Sequence, residues 1–210
     1  MSPDRLQHPR FARVYARLAA TMDRRGAAGH RHRLVAGLSG RVLEVGAGHG
    51  GNFAHYPPAV TEVLAVEPDD HLRGLATVAA RAAPVPVHVV PGHADDLPAP
   101  DGSVDAAVTS LVLCTVPDQA TALAEIRRVL VPGGALRFYE HVRSRRPLLA
   151  AVQDAVVPLW SRAGGGCHPN RDTAAAIAAA GFTVEHLDRF GFRAVVLAPP
   201  IDHILGSARR

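Results

Sequence analysis

The segment LEVGAGHGGN, residues 43–52, sets four glycines behind a short β-branched run, and it constrains the fold more than any other stretch of the chain. A strand that runs into a glycine turn lets the backbone come close to a ligand, and such turns open nucleotide-binding α/β folds. The residues fit Glu-x-Gly-x-Gly-x-Gly through Glu44, Gly46, Gly48 and Gly50, and also Gly-x-Gly-x-x-Gly through Gly46, Gly48 and Gly51. A helix is predicted to follow the loop.

The rest of the chain supports an α/β reading. β-branched runs predict strands over residues 41–45, 62–68, 85–90, 103–110, 134–141, 182–188 and 192–198. Helical spacing is clearest over residues 119–130, stopped by Pro132-Gly133-Gly134, and over residues 172–181, with Asp172 or Thr173 as the starting cap and Gly181 at the end. Alternating strands and helices imply a Rossmann-like, mostly parallel, doubly wound sheet of about seven strands with helices on both faces. Only residues 189–191 separate the last two predicted strands, too few for a crossover helix, so the last strand is expected to run reversed. Residues 10–38 carry apolar side chains at helical spacing, punctuated by Gly26 and Gly29, and predict two lead-in helices. The expected division is a helical lead-in over residues 1–40 and an α/β domain over residues 41–210.

Composition narrows the function. With 48% hydrophobic and 20% charged residues the chain reads as an ordinary globular protein. It has no apolar stretch of membrane-spanning length and no signal peptide, so the cytoplasm is the expected compartment. The net charge of +4 comes with arginines spread along the chain and no lysine, which argues against a nucleic-acid footprint. The two cysteines, Cys114 and Cys167, lack metal-ligand spacing, so free thiols and no metal site are expected.

Two acids bear on which cofactor suits the loop. Glu67, ending the second predicted strand, can hold ribose hydroxyls of either a dinucleotide or S-adenosylmethionine. Glu44 discriminates, because a carboxylate beside the loop opposes a doubly negative pyrophosphate and attracts an ammonium and a sulfonium. The electrostatics favour S-adenosylmethionine.

Beyond the loop, GHADDLPAPDGSVDAAVTSLVLCTVPD and ALAEIRRVLVPGGALRFYEH resemble class I methyltransferases. Through LEVGAGHGGNF, TSLVLCTV, RVLVPGGAL, EHV, QDAVVPLW and GGGCHPNRDT the chain is most similar to the thiol S-methyltransferase group and its bacterial relatives. The resemblance implies that Gly46 and Gly48 approach the methionine portion, Glu67 holds the ribose, His93 and Ala94 lie by the adenine, and Ser110 and Leu111 line the loop after the fourth strand. His93 departs from the Asp that many relatives carry. Tyr15 looks like the aromatic that closes over the cofactor, and the membrane-anchoring segment of some relatives is missing.

For the acceptor, His141 is the candidate base, while Cys114, Trp160 and Cys167 are candidates to shape the pocket. A small-molecule thiol is the leading expectation. The alternatives are oxygen, nitrogen or carbon methylation of a secondary metabolite, quinone or lipid head group, a non-catalytic S-adenosylmethionine-binding regulator, and an NAD(P)-dependent oxidoreductase. The sequence leaves oligomeric state open.

Overall fold

Alternation along the first strand, β1 (Gly40–Val45), sorts its side chains onto the two faces of a sheet. Leu43 and Val45 enter one hydrophobic core and Val42 the other, so Glu44 shares a face with Val42. The computed structural model describes residues 7–194 and 199–210. The remaining strands are β2 (Val60–Val66), β3 (Val87–Val90), β4 (Val104–Ser110), β5 (Leu130–His141), β6 (Thr183–Phe192) and β7 (Ile201–Arg209). They form a seven-stranded sheet in the order β3-β2-β1-β4-β5-β7-β6, in which β7 runs antiparallel to both neighbours. The predicted Rossmann-like sheet with a reversed last strand is therefore present.

The helices are α1 (Pro9–Met22), α2 (Ala28–Val35), α3 (Asp70–Ala80), α4 (Gln119–Val129), α5 (Pro147–Ala163) and α6 (Thr173–Ala179). Leu123 and Ile126 of α4 and Ile177 of α6 pack on the Leu43 face, whereas Leu34 of α2 and Ala76 of α3 pack on the Val42 face. Asp172 caps α6 as predicted, its side chain accepting from the Ala175 N–H at 3.1 Å. None of these helices is long and apolar enough to cross a membrane.

Three expectations are corrected. The hairpin expected at residues 189–191 is absent, because β6 continues in register through Arg189, Phe190 and Gly191, opposite Ile204, His203 and Asp202 of β7. Phe190 stacks on His30 and on His203 there, which favours continuing the strand over turning it. The reversed strand is residues 201–209, and residues 195–198 of the strand expected over 192–198 lie outside the described residues. Gly206 hides this strand from pattern reading, yet it is required, since a Cβ there would sit 2.6 Å from the Phe138 ring and 2.3 Å from the His186 carbonyl.

The helix predicted after the glycine loop is reduced to one 3-10 turn, Phe53–His55. Gly50 is left-handed at φ 82°, with its α-hydrogen side packed against Phe53 and Ala79, and Pro57-Pro58 close the segment. Helix α5 carries no periodic signature in the sequence, because its apolar residues lie all round it and Leu148 and Leu159 face solvent.

The lead-in consists of α1 and α2 as predicted, joined through a kink within Asp23–Ala27, where Gly26 has φ 124°. One buried network ties it to the sheet. Arg31 of α2 donates to Asn52 Oδ1 at 3.3 Å and to Asp23 at 3.2 Å. The Asn52 amide donates to Glu44 Oε1 at 2.9 Å, and the Tyr56 hydroxyl donates to Glu44 Oε2 at 2.6 Å.

Burial pushes the Glu44 carboxyl up to about 7, opposed by the hydrogen bonds from Tyr56 and Asn52 and by the Arg31 charge. Between the ordinary carboxylate value of about 4.3 and this raised value the folded chain holds a proton that the unfolded chain releases. The Glu44 contribution to stability is therefore highest at low pH and is lost as pH rises through that window. Glu44→Gln should remove the slope, so that the stability of the variant relative to wild type rises by on the order of 1–3 kcal/mol between about pH 5 and about pH 8. Urea unfolding at the two pH values checks this, and a pH-independent difference would refute it.

Candidate active site at the carboxyl ends of the strands

The glycine loop is built by what its glycines touch. Gly46 turns at φ 65° directly after β1, and a Cβ on it would lie 2.6 Å from Val112, so the loop after β4 packs where a side chain would otherwise be. Gly48, at φ 59°, donates its N–H to Glu67 Oε2 at 2.7 Å, while Glu67 Oε1 accepts from the Asp69 N–H at 2.8 Å. Burial raises the Glu67 carboxyl to about 6 against the pull of those two N–H groups. The space where a Gly48 side chain would stand is open, with Tyr15 Cε1 the nearest atom at 3.9 Å.

Tyr15 stacks on Phe11 at 5.6 Å and meets His49 edge-on at 5.4 Å. The Tyr15 ring thus roofs the loop. Burial holds the His49 imidazole low, at about 4, and its Nδ1 is buried with no hydrogen-bond partner among the described residues. An open glycine cradle beside an unpartnered polar atom and an acid fixed by backbone donors suits a polar ligand with hydroxyl groups. Glu44, in contrast, is wholly buried behind the loop, both of its oxygens held by Asn52 and Tyr56.

Further along the strand ends, Ala94 is buried and the His93 Nδ1 is paired to the Asp95 carboxylate. Ser110 ends β4, and Leu111 follows in the left-handed region at φ 61°, held there by its N–H donating to the Tyr139 carbonyl at 2.7 Å. Such a conformation costs a non-glycine residue on the order of 1 kcal/mol and marks a position the surroundings impose.

The three sulfur and imidazole candidates converge. His141 is the last residue of β5, Cys114 lies in the loop after β4, and Cys167 lies in the glycine-rich segment after α5. His141 Nδ1 is 3.3 Å from Cys167 Sγ and 3.6 Å from Cys114 Sγ, and the two sulfurs are 3.7 Å apart. The Glu140 carboxylate fixes the Cys114 loop by accepting from the Val112 and Cys114 N–H groups. The His168 N–H donates to the Cys114 carbonyl at 2.7 Å, which joins the two cysteine segments. His203 backs the His141 ring at 4.5 Å.

Burial pushes the Cys114 thiol well up, whereas hydrogen bonding to Cys114, helped by His141 and Trp160, holds the Cys167 thiol well down. Trp160 of α5 therefore belongs to the same cluster. A Cβ on Gly165 would lie 2.7 Å from the Phe11 ring, so the cysteine segment rests on the ring that stacks on Tyr15. Sequence reading missed Arg31, Asp95 and His203. Arg31 and His203 are buried polar residues in ordinary helix and strand patterns, and only their partners reveal them.

Comparison with known proteins fits this geometry. A family model described as a methyltransferase domain matches residues 43–138. Thiol S-methyltransferase TMT1B of Homo sapiens is 34% identical over 186 residues, covering 83% of this chain and 73% of that protein. A demethylmenaquinone methyltransferase of Paenarthrobacter aurescens is 33% identical over 120 residues, covering 57% of this chain and 42% of that protein. In fold, the solved S-adenosylmethionine-dependent methyltransferase of Mesorhizobium loti matches with a TM-score of 0.65 and 21% identity over 90% of this chain and 100% of that one. The chain belongs to the S-adenosylmethionine-dependent methyltransferase family.

Proposed function

We propose that this methyltransferase acts on the sulfur of a small apolar thiol. The observation that carries the reading is the meeting of His141, Cys114, Cys167 and Trp160 at one spot, joined through Phe11 and Tyr15 to the glycine loop. The last turns of helix α5 bring Leu159 and Trp160 to the surface near it, an apolar approach that suits an apolar acceptor. The similarity to a thiol S-methyltransferase over most of the chain supports the same acceptor class. The reducing cytoplasm, where both cysteines stay thiols, is the compartment this reading assumes.

Bound S-adenosylmethionine supplies a methyl group already activated on a sulfonium, so the chain has to align, desolvate and manage one proton. In this reading Gly46 and Gly48 bring backbone to the methionine portion, and Tyr15 covers it. Each Glu67 oxygen carries one backbone N–H and keeps acceptor capacity for a ribose hydroxyl. Ala94 and the His93–Asp95 pair lie on the adenine side, Ser110 and Leu111 floor the site, and Glu44 stabilises the loop from behind through Asn52 and Tyr56. An acceptor thiol with a pKa near 8.5 is a few per cent ionised at neutral pH, and His141 takes up the remaining proton. The similarity to a demethylmenaquinone methyltransferase favours one second reading, methylation of an apolar ring compound in the same pocket.

Four outcomes test the proposal. Gly48→Val forces a branched residue into a left-handed turn and fills the open cradle, so calorimetric binding of S-adenosylhomocysteine should vanish while the protein stays folded. Retained affinity would remove the loop from the site. Glu67→Ala should weaken S-adenosylhomocysteine by about 1.5–3 kcal/mol, the scale of lost charge-assisted hydrogen bonds, and a loss of a few tenths would leave Glu67 a loop anchor only.

With labelled cofactor, apolar thiols should be methylated faster than phenols, quinols or amines of like shape. Replacing His141 by Ala should cut kcat/KM for thiols most at pH values well below the acceptor pKa, where thiolate is scarce. A ring compound outpacing every thiol would transfer the assignment to the second reading.

A further inference from the structure

Cys114 Sγ, Cys167 Sγ and His141 Nδ1 come from three separate segments, yet all lie within 4.8 Å of one another. The triangle has sides of 3.7 Å between the sulfurs and 3.6 and 3.3 Å from sulfur to nitrogen. A tetrahedral zinc ion, with Zn–S of about 2.3 Å and Zn–N of about 2.0–2.1 Å, spaces two sulfurs about 3.8 Å apart and sulfur from nitrogen about 3.6 Å apart. The three atoms therefore outline one face of a zinc tetrahedron. We propose that Cys114, His141 and Cys167 bind a soft divalent cation, zinc in the first instance, and leave its fourth position open to an exogenous sulfur ligand.

The donor set fits such an ion. Two thiolates neutralise a divalent charge, which lowers the cost of burying it, and a Cys2His set with three protein ligands is the composition of open, catalytic zinc sites. Among the described residues no other His, Cys, Asp or Glu joins the group. The nearby Glu140 carboxylate is committed to backbone N–H groups, as described above. Both sulfurs are nearly or fully buried, and their backbones are fixed before any ion arrives, by the bond from His168 N–H to the Cys114 carbonyl and by Arg171 donating to the Leu113 and Val116 carbonyls at 2.9 and 2.6 Å. The His203 ring lies tilted against the His141 ring at 4.5 Å and walls it from behind.

The open position gives the site a use, and this part rests on the thiol reading above. An acceptor thiol that binds there releases its S–H proton to solvent and keeps the electron pair on sulfur, now bonded to the cation. That pair forms the new S–CH3 bond as the methyl–sulfonium bond breaks, its electrons returning to the departing sulfur. The products are a neutral thioether, a poor ligand that leaves, and S-adenosylhomocysteine. In the loaded site His141 holds the cation, and in the empty site it takes the proton directly.

The test uses the full chain, reduced and stripped with a chelator, with both thiols counted by a thiol reagent. Zinc titration should show one equivalent bound, and Cys167→Ser and His141→Ala should each weaken binding more than about 100-fold while circular dichroism and melting temperature show folded protein. Cys167 and His141 are chosen because the first lies in a loop and the second is half-buried, so both can change without emptying a core. Cobalt(II) should give a thiolate charge-transfer band in wild type that shrinks in Cys167→Ser, and a small apolar thiol should shift the cobalt d–d bands. Reduced wild type with two titratable thiols, no stoichiometric zinc and no charge-transfer band overturns the site. Stoichiometric zinc with a cobalt spectrum indifferent to thiols overturns the open-position assignment alone. Failure of the zinc-loaded enzyme to methylate any thiol overturns the acceptor reading and leaves the metal titration standing.

Discussion

A carboxylate with almost no access to water, Glu44, sits at the junction of everything else in this molecule. It lies on the face of β1 that the lead-in helices cover, and its two oxygens are answered by Asn52 and Tyr56, residues that follow the glycine loop. Asn52 in turn accepts from Arg31, which also reaches Asp23 and the Tyr15 hydroxyl. Strand, loop and lead-in are thus bound to one buried carboxyl group. Removing either partner of such a group costs more than the interaction itself is worth, because the remaining group stays buried and unanswered. The loop keeps its shape here without the long helix that usually follows a glycine turn.

Much of the architecture was legible. β1 through β5 and helices α4 and α6 carry period-two and helical patterns with strong stop signals, whereas the reversed strand was expected from a short connection at residues 189–191 that in fact lies inside β6. The location of that strand was not legible, because Gly206 breaks the apolar alternation at the point where Phe138 needs space. Aromatic stacking of Phe190 on His30 and His203 then carries β6 past a glycine that reads as a turn. Both errors have one cause: cross-strand packing decided positions that local propensity left undecided.

Gly46, Gly48 and Glu67 stand out in the sequence because a glycine turn and a strand-end acid have local signatures, whereas Tyr15 is singled out only by the family resemblance. The cysteine and histidine cluster does not stand out, since Cys114 and Cys167 are 53 positions apart and His141 falls between them. Metal-ligand spacing within one segment is the only pattern a sequence can display. Cys114 in the loop after β4, His141 at the end of β5 and Cys167 in the loop after α5 meet only through the tertiary fold. Glu44 shows the opposite case, a residue expected beside the cofactor that the structure buries behind the loop, where Asn52 and Tyr56 hold both of its oxygens.

The insertion of β7 between β5 and β6 has a bearing on how the chain is made. β6 pairs with β7 and with no other strand, so during synthesis residues 183–192 leave the ribosome with nowhere to dock. Until residues 201–209 emerge, the nascent sheet ends at an open β5 edge, the kind of surface that recruits wrong partners. His203 arrives on that same late strand and completes the wall behind His141. Closure of the sheet and completion of the wall behind His141 are thus one event, so a nascent chain that has not yet sealed its edge also lacks that wall.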